Sequence, residues 1–299
     1  MPDSASKLIT ATIETALVPS PSRLSVLLPA GYDRGAASYP LMYLLHGGDG
    51  DNNFLGILKP LIERAWERSL LPPLVVVTPD ADRSFYVDYR DGSRKWETFI
   101  LGELLSHVRR TYRVDPRPSQ TVVAGISMGG LGALRMAFKH PEMFAGVAAL
   151  EPGIEPALSF DEIDLRDRFY RSDELLEERF GRPVDRECWK ANNPANIAIA
   201  RAAELRASKL PIYIEAADED AFYLFYGAEF LHRVLFDAEV KHEYRLVRGA
   251  DHLGRTLEHR FIDAFRFLGL ALNPPPPDES LNEFHKVIAA MKRHAGYSD

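Results

Sequence analysis

The sequence predicts an α/β protein: a mostly parallel central sheet with helices on both faces. Three observations carry this. Short apolar runs alternate with helix-like segments along most of the chain. Some runs, residues 41–45 above all, are too apolar to have a wet face and so read as central strands. Chemically versatile residues recur just after the runs, where ligands bind in open parallel sheets.

Composition narrows the class. The chain has 299 residues, 46% hydrophobic and 26% charged, enough for one large domain with a substantial core. Net charge is −7 and no basic stripe is present, which argues against nucleic acid or an anionic membrane as partner. The single cysteine, Cys188, excludes an internal disulfide. No apolar run is long enough to span a bilayer, and the first residues lack the pattern of a signal peptide. The expectation is a cytoplasmic protein without a membrane association.

In chain order, residues 24–28, 41–45 and 74–78 read as strands, with a helix over 55–70 between the last two. Residues 82–96 hold Phe85, Tyr86, Tyr89 and Trp96 among charges and read as a long surface loop. Residues 98–112 place Phe99, Leu101, Leu104, Leu105 and Val108 on one helical face. An apolar run over 121–126 leads into Gly125-Ile126-Ser127-Met128-Gly129, and helix follows to His140, stopped by Pro141. Residues 144–150 are a buried strand. Residues 154–190 are dense in charge and read as an insertion over one sheet end, either a lid or a solvated excursion. Asn193-Pro194 starts a helix, 211–216 and 243–247 are strands, and 222–236 and 257–268 are helices. The domain reading is a catalytic unit over 1–272, then a Pro-rich linker and short amphipathic helix over 273–299. Leu281, Phe284, Val287, Ile288 and Met291 form one stripe on that helix. They call for cover, by the same domain or by a second copy in a homodimer.

The Gly125-x-Ser127-x-Gly129 pattern is weak alone, because a Gly-rich turn would also produce it. Its strand-then-helix setting makes it a nucleophile elbow, a turn so sharp that flanking side chains would collide. Ser127 is then the candidate nucleophile. A serine hydroxyl needs a base, and His252, in a Gly-flanked loop after the last strand, is the candidate. The carboxylate that orients it follows the strand at 211–216: Asp220 is favoured, with Asp218 as the alternative. The oxyanion hole needs two N–H donors, assigned to Met128 and to Gly48 or Gly47 of His46-Gly47-Gly48. His46, Tyr86, Trp96, Glu151, Phe222 and Tyr226 are candidate substrate contacts. No metal is expected, since His242-Glu243 lacks a second histidine at ligand spacing and there is no cysteine cluster. No dinucleotide or P-loop pattern is present, so no cofactor is expected.

Several stretches resemble one known family. They are Leu28-Pro29-Ala30-Gly31-Tyr32-Asp33, Tyr43-Leu44-Leu45-His46-Gly47-Gly48 and Gly125 to Leu134, supported by His140-Pro141-Glu142-Met143-Phe144 and the Gly249 to His252 loop. Together they are similar to the esterase D / feruloyl esterase group of α/β-hydrolases, which includes S-formylglutathione hydrolase and mycolyltransferase relatives. The resemblance covers about residues 12–270. It implies an α/β-hydrolase fold with a sheet of about eight strands. It also implies a serine esterase acting on a small-molecule ester through an acyl-serine, without a cofactor. Its triad falls on Ser127, Asp220 and His252. Where such proteins often carry a Ser-Gly pair, this chain has Glu151-Pro152-Gly153, which would place an acid near the pocket.

Overall fold

The computed structural model describes residues 5–297. One eight-stranded sheet runs through it in the order β1-β2-β4-β3-β5-β6-β7-β8. The strands are β1 (Lys7–Ile13), β2 (Ser22–Leu28), β3 (Leu41–Leu45), β4 (Val75–Pro79), β5 (Thr121–Ile126), β6 (Gly146–Leu150), β7 (Ile212–Ala217) and β8 (Glu243–Val247). β1 and β2 pair antiparallel, as do β2 and β4, and every later pairing is parallel. The fold class is the one expected.

Side-chain alternation splits the core into two layers. In β3, Leu41, Tyr43 and Leu45 face one layer, while Met42 and Leu44 face the other. Helices Phe54–Glu67 and Leu257–Leu272 cover the second layer. Helices Leu105–Thr111, Met128–Lys139 and Leu224–Asp237 cover the first. Because β3 and β5 to β8 all point the same way, their C-terminal ends share one edge. The segments after β3, β5, β7 and β8 therefore meet there.

Several sequence expectations need correction. Strand β1 was not foreseen. It alternates half-buried and exposed residues at the sheet edge, so it lacks the apolar density that marks the inner strands. The 82–96 segment is no surface loop, for Phe85, Tyr86, Tyr89 and Trp96 are all buried. Distant residues satisfy its backbone: Arg135 Nη2 donates to the Tyr86 carbonyl at 2.5 Å, and Arg179 Nε to the Arg83 carbonyl at 2.9 Å. Fully buried Arg135 is held by Glu97, also buried, at 3.0 Å. Burial pushes the Glu97 carboxyl up, but His140, Arg135 and Lys139 outweigh it and bring it down to about 2.

The 154–190 insertion is partly core. Leu176, Phe180, Val184 and Trp189 join the same apolar layer as the helices. Ser172 and Asn193 cap helices Asp173–Phe180 and Pro194–Ala200 by accepting from the Leu175 and Ala195 N–H groups. The last helix, Asn282–His294, has no buried residue, and Phe284, Val287 and Met291 stay exposed.

Helix Leu257–Leu272 approaches the Leu70 carbonyl closely at Gly269, where a Cβ would overlap that oxygen. Gly269→Ala gains about 1 kcal/mol of helix propensity but overpacks backbone, a cost of about 1–3 kcal/mol that cannot relax through a side chain. The expected outcome is net destabilisation in urea unfolding; an unchanged or raised midpoint would contradict this packing.

Candidate active site

The turn after β5 is as tight as its glycines suggest. Ser127 has φ 56° and ψ −118°, a strained conformation for a residue with a side chain. A Cβ at Gly125 would overlap the Gly129 backbone, and one at Gly129 would overlap the Leu45 carbonyl. The glycines thus let helix Met128–Lys139 start directly against β5 and the end of β3. Ser127 N–H donates to the Leu150 carbonyl at 2.9 Å, and its carbonyl accepts from Gly153 at 3.1 Å. The serine is pinned between two strand ends, with Met128 as the first residue of the helix.

Past β7, Asp220 is buried. Its Oδ1 accepts from the Phe222 N–H at 2.7 Å, and its Oδ2 lies 2.9 Å from His252 Nδ1. Asp218 instead accepts from the Gly249 N–H at 2.6 Å, closing the turn that leads to His252. Glu219 is exposed. The geometry therefore separates the two acids: Asp220 meets the imidazole, and Asp218 shapes the loop that carries it. Asp251 adds to this by accepting from the Ala221 and His252 N–H groups.

Ser127 and His252 line one cavity of about 310 Å³, together with Met128, Gly47 and Gly48. Among the described residues the Ser127 side chain makes no direct hydrogen bond to His252. Such contacts are often long before substrate binds and tighten in the complex. The rest of the wall is mostly apolar, with Phe54, Phe85, Phe222, Leu224, Leu253 and Leu257. Larger surface depressions, of about 640 and 840 Å³, lie around Lys209, Leu210 and Pro211 and contain none of the expected site groups.

The expected substrate contacts divide. Phe222 is on the cavity wall, its ring centroid 4.8 Å from that of His252. His46 is not. It is buried with Nδ1 2.7 Å from the Gly47 carbonyl, and its Nε2 accepts from the Ala81 N–H at 3.0 Å. Burial lowers the affinity of its ring for a second proton. Its function in the fold is to fix the Gly47-Gly48 turn. Tyr86 is buried behind it, donating to the His46 carbonyl at 3.0 Å, and Trp96 is core. Tyr226 is outside the wall, with the Arg166 guanidinium 3.9 Å above its ring. Glu151 is fully buried and faces the protein interior next to Arg260. Wall residues that sequence reasoning missed include Phe85, from the misread 82–96 segment, and Arg83, Tyr170 and Arg171 beside it. Tyr170 and Arg171 come from the insertion, whose charge density was the one available signal.

Comparison with known proteins agrees with the architecture. The Esterase family model matches residues 16–265. A Mycobacterium tuberculosis protein named "Esterase MT1326" is 33% identical over 135 residues, 42% of this chain and 28% of its own length. "Diacylglycerol acyltransferase/mycolyltransferase Ag85A" of Mycobacterium leprae is 31% identical over 154 residues, 48% of this chain and 45% of its own length. The chain thus spans less than half the length of these relatives. Among solved structures, a ferulic acid esterase superposes with TM-score 0.74 at 24% identity, covering 90% of this chain and 99% of that one. An S-formylglutathione hydrolase from Agrobacterium tumefaciens superposes with TM-score 0.70 at 19% identity, covering 91% and 96%. At these identities the superpositions speak for the fold. With the family model covering most of its length and the hydrolase architecture in place, the chain belongs to the Esterase family.

Proposed function

We propose that this protein is a serine carboxylic-ester hydrolase that works through an acyl-serine on a small or aryl ester. The observation that carries this is the pair of buried Asp220 and half-buried His252, the ring opening onto the same cavity as the strained Ser127. The imidazole Nδ1 is engaged by Asp220, so Nε2 is the nitrogen left to take the serine proton. Ser127 Oγ then attacks the ester carbonyl. The carbonyl oxygen, now negative, is met by the Met128 N–H at the helix start and by an N–H from the Gly47-Gly48 turn. His252 returns its proton to the leaving alcohol, and a water activated by the same ring releases the acid. Asp220 orients the ring and stabilises its cation throughout.

Size and lining support the substrate class. A cavity of about 310 Å³ walled by phenylalanine and leucine suits a short acyl chain or a single aromatic ring. The relatives' printed names include acyltransferases, so transfer of the acyl group to an alcohol instead of water is the second reading. Adding alcohols during turnover separates the two.

Expected outcomes follow for kinetics. A short-chain aryl ester should release its alcohol in a burst equal to one enzyme equivalent. Ser127→Ala should lower kcat/KM by about 10⁴-fold or more, and retention of full activity would end the reading. Asp220→Asn should cost about 10⁴-fold in kcat, while Asp218→Asn, which only loosens a turn, should stay within about tenfold. Equal losses in the two variants would contradict the assignment of the acid. The exposed stripe at Phe284, Val287 and Met291 supports a homodimer through the last helix. Sedimentation should give a dimer mass that Met291→Lys reduces to that of a monomer; a monomeric wild type would remove the proposal.

A further inference from the structure

Glu151 follows β6 directly with φ 45° and is fully buried. Its Oε2 accepts from the Ala217 N–H at 3.1 Å, and Arg260 Nη2 donates to its Oε1. The same guanidinium also donates through Nε to Glu215, which accepts at its other oxygen from the Tyr213 hydroxyl at 3.0 Å. A carboxylate oxygen of Glu151, one of Asp220 and a ring nitrogen of His252 lie within 4.8 Å of one another. The charged and titratable groups facing Glu151 are therefore Arg260 from the closing helix, Glu215 from β7 and Tyr244 from β8. Asp220 and His252 join them from the two following loops.

Charge counting constrains this cluster. One guanidinium serves three carboxyls, and a ring that is to take the serine proton carries no charge of its own. With every acid ionised the site would hold two uncompensated negative charges out of water, which buried like charges avoid by keeping a proton. Glu215 has Arg260 and the Tyr213 hydroxyl. Asp220 has the Phe222 N–H and His252. Glu151 shares Arg260 with Glu215 and accepts from the Ala217 N–H, but its carboxyl also lies against Asp220, and of this close pair of like charges Glu151 is the one that keeps the proton. Burial pushes it up to about 8, with Arg260 opposing and Asp220 reinforcing the shift.

We propose that Glu151 is a positioning residue: an uncharged carboxyl behind the Asp220–His252 pair, its proton directed at Asp220, so that Asp220 is the one negative charge presented to the ring. This rests on the proposed function. A second carboxylate at this range would hold the imidazolium too firmly and keep the base protonated before attack. It would move the acidic limb of activity by about one pH unit or more. Arg260 already supplies the cation of the cluster, so the three groups have no need of a metal ion to coexist.

The test is the pH dependence of kcat/KM for a short-chain aryl ester in wild type, Glu151→Gln and Glu151→Ala. Glu151→Gln keeps the size, the neutrality and a donor. It should hold kcat within about threefold and the acidic limb within about 0.3 pH unit of wild type. Glu151→Ala should lose kcat by about tenfold or more at similar KM. A Glu151→Gln acidic limb displaced downward by about one pH unit or more would show an ionised Glu151 and overturn the proposal. Full kcat in Glu151→Ala would also overturn it. If Glu151→Ala fails to fold, the acidic limb of Glu151→Gln decides alone. Should Ser127→Ala keep its activity, the proposed function fails first; if it is inactive and only the Glu151 limbs disagree, Glu151 alone is misassigned.

Discussion

Everything at the C-terminal edge of the parallel strands depends on how closely the Ser127 turn is packed. Three backbones meet there: the end of β5, the start of helix Met128–Lys139 and the end of β3. Gly125 and Gly129 have no room for even one carbon more. This steric constraint holds Ser127 at positive φ and puts the first turn of the helix beside it. It also fixes the distance between the serine and the Gly47-Gly48 turn, because Gly129 rests on the Leu45 carbonyl just before that turn. Strain at one residue is tolerated because the whole sheet centre would have to move to relieve it.

The second requirement is electrostatic. Parallel strands deliver Glu151, Glu215, Asp220 and His252 to one edge, and the three carboxyls are buried there, which makes each charge costly. Arg260 reaches in from the closing helix to bridge Glu151 and Glu215. The same helix seals the second layer of the core through Phe261, Phe265 and Leu268. Core packing and charge balance are thus supplied by one element. On the other side, buried Arg135 ties the 82–96 segment to the elbow helix, and that segment carries Phe85 into the cavity wall.

How much was legible follows from what each signal depends on. Strands β3 and β8 were readable residue for residue, and the elbow was readable because its glycines and its strand-helix setting are local. Asp220 against Asp218 was not decidable from sequence, since both follow β7 and only the turn closed by Asp218 on Gly249 tells them apart. The 82–96 segment was misread because its charges are local and the partners that bury it, Arg135 and Arg179, are far along the chain. Glu151 was placed in the pocket for the same reason. Its partner Arg260 lies 109 positions away, and nothing near Glu151 announces a buried cation. Pocket aromatics carried no periodic signal at all, and of those expected Phe222 alone lines the cavity.

The most direct measurement of the central claim is covalent capture of the nucleophile. A fluorophosphonate reacts with a serine only where a base and an oxyanion site activate it. Mass spectrometry of the digested, labelled protein should find a single adduct on the peptide carrying Ser127, and His252→Ala should slow its formation severely. An adduct on another serine, or full labelling of Ser127 without His252, would contradict the account.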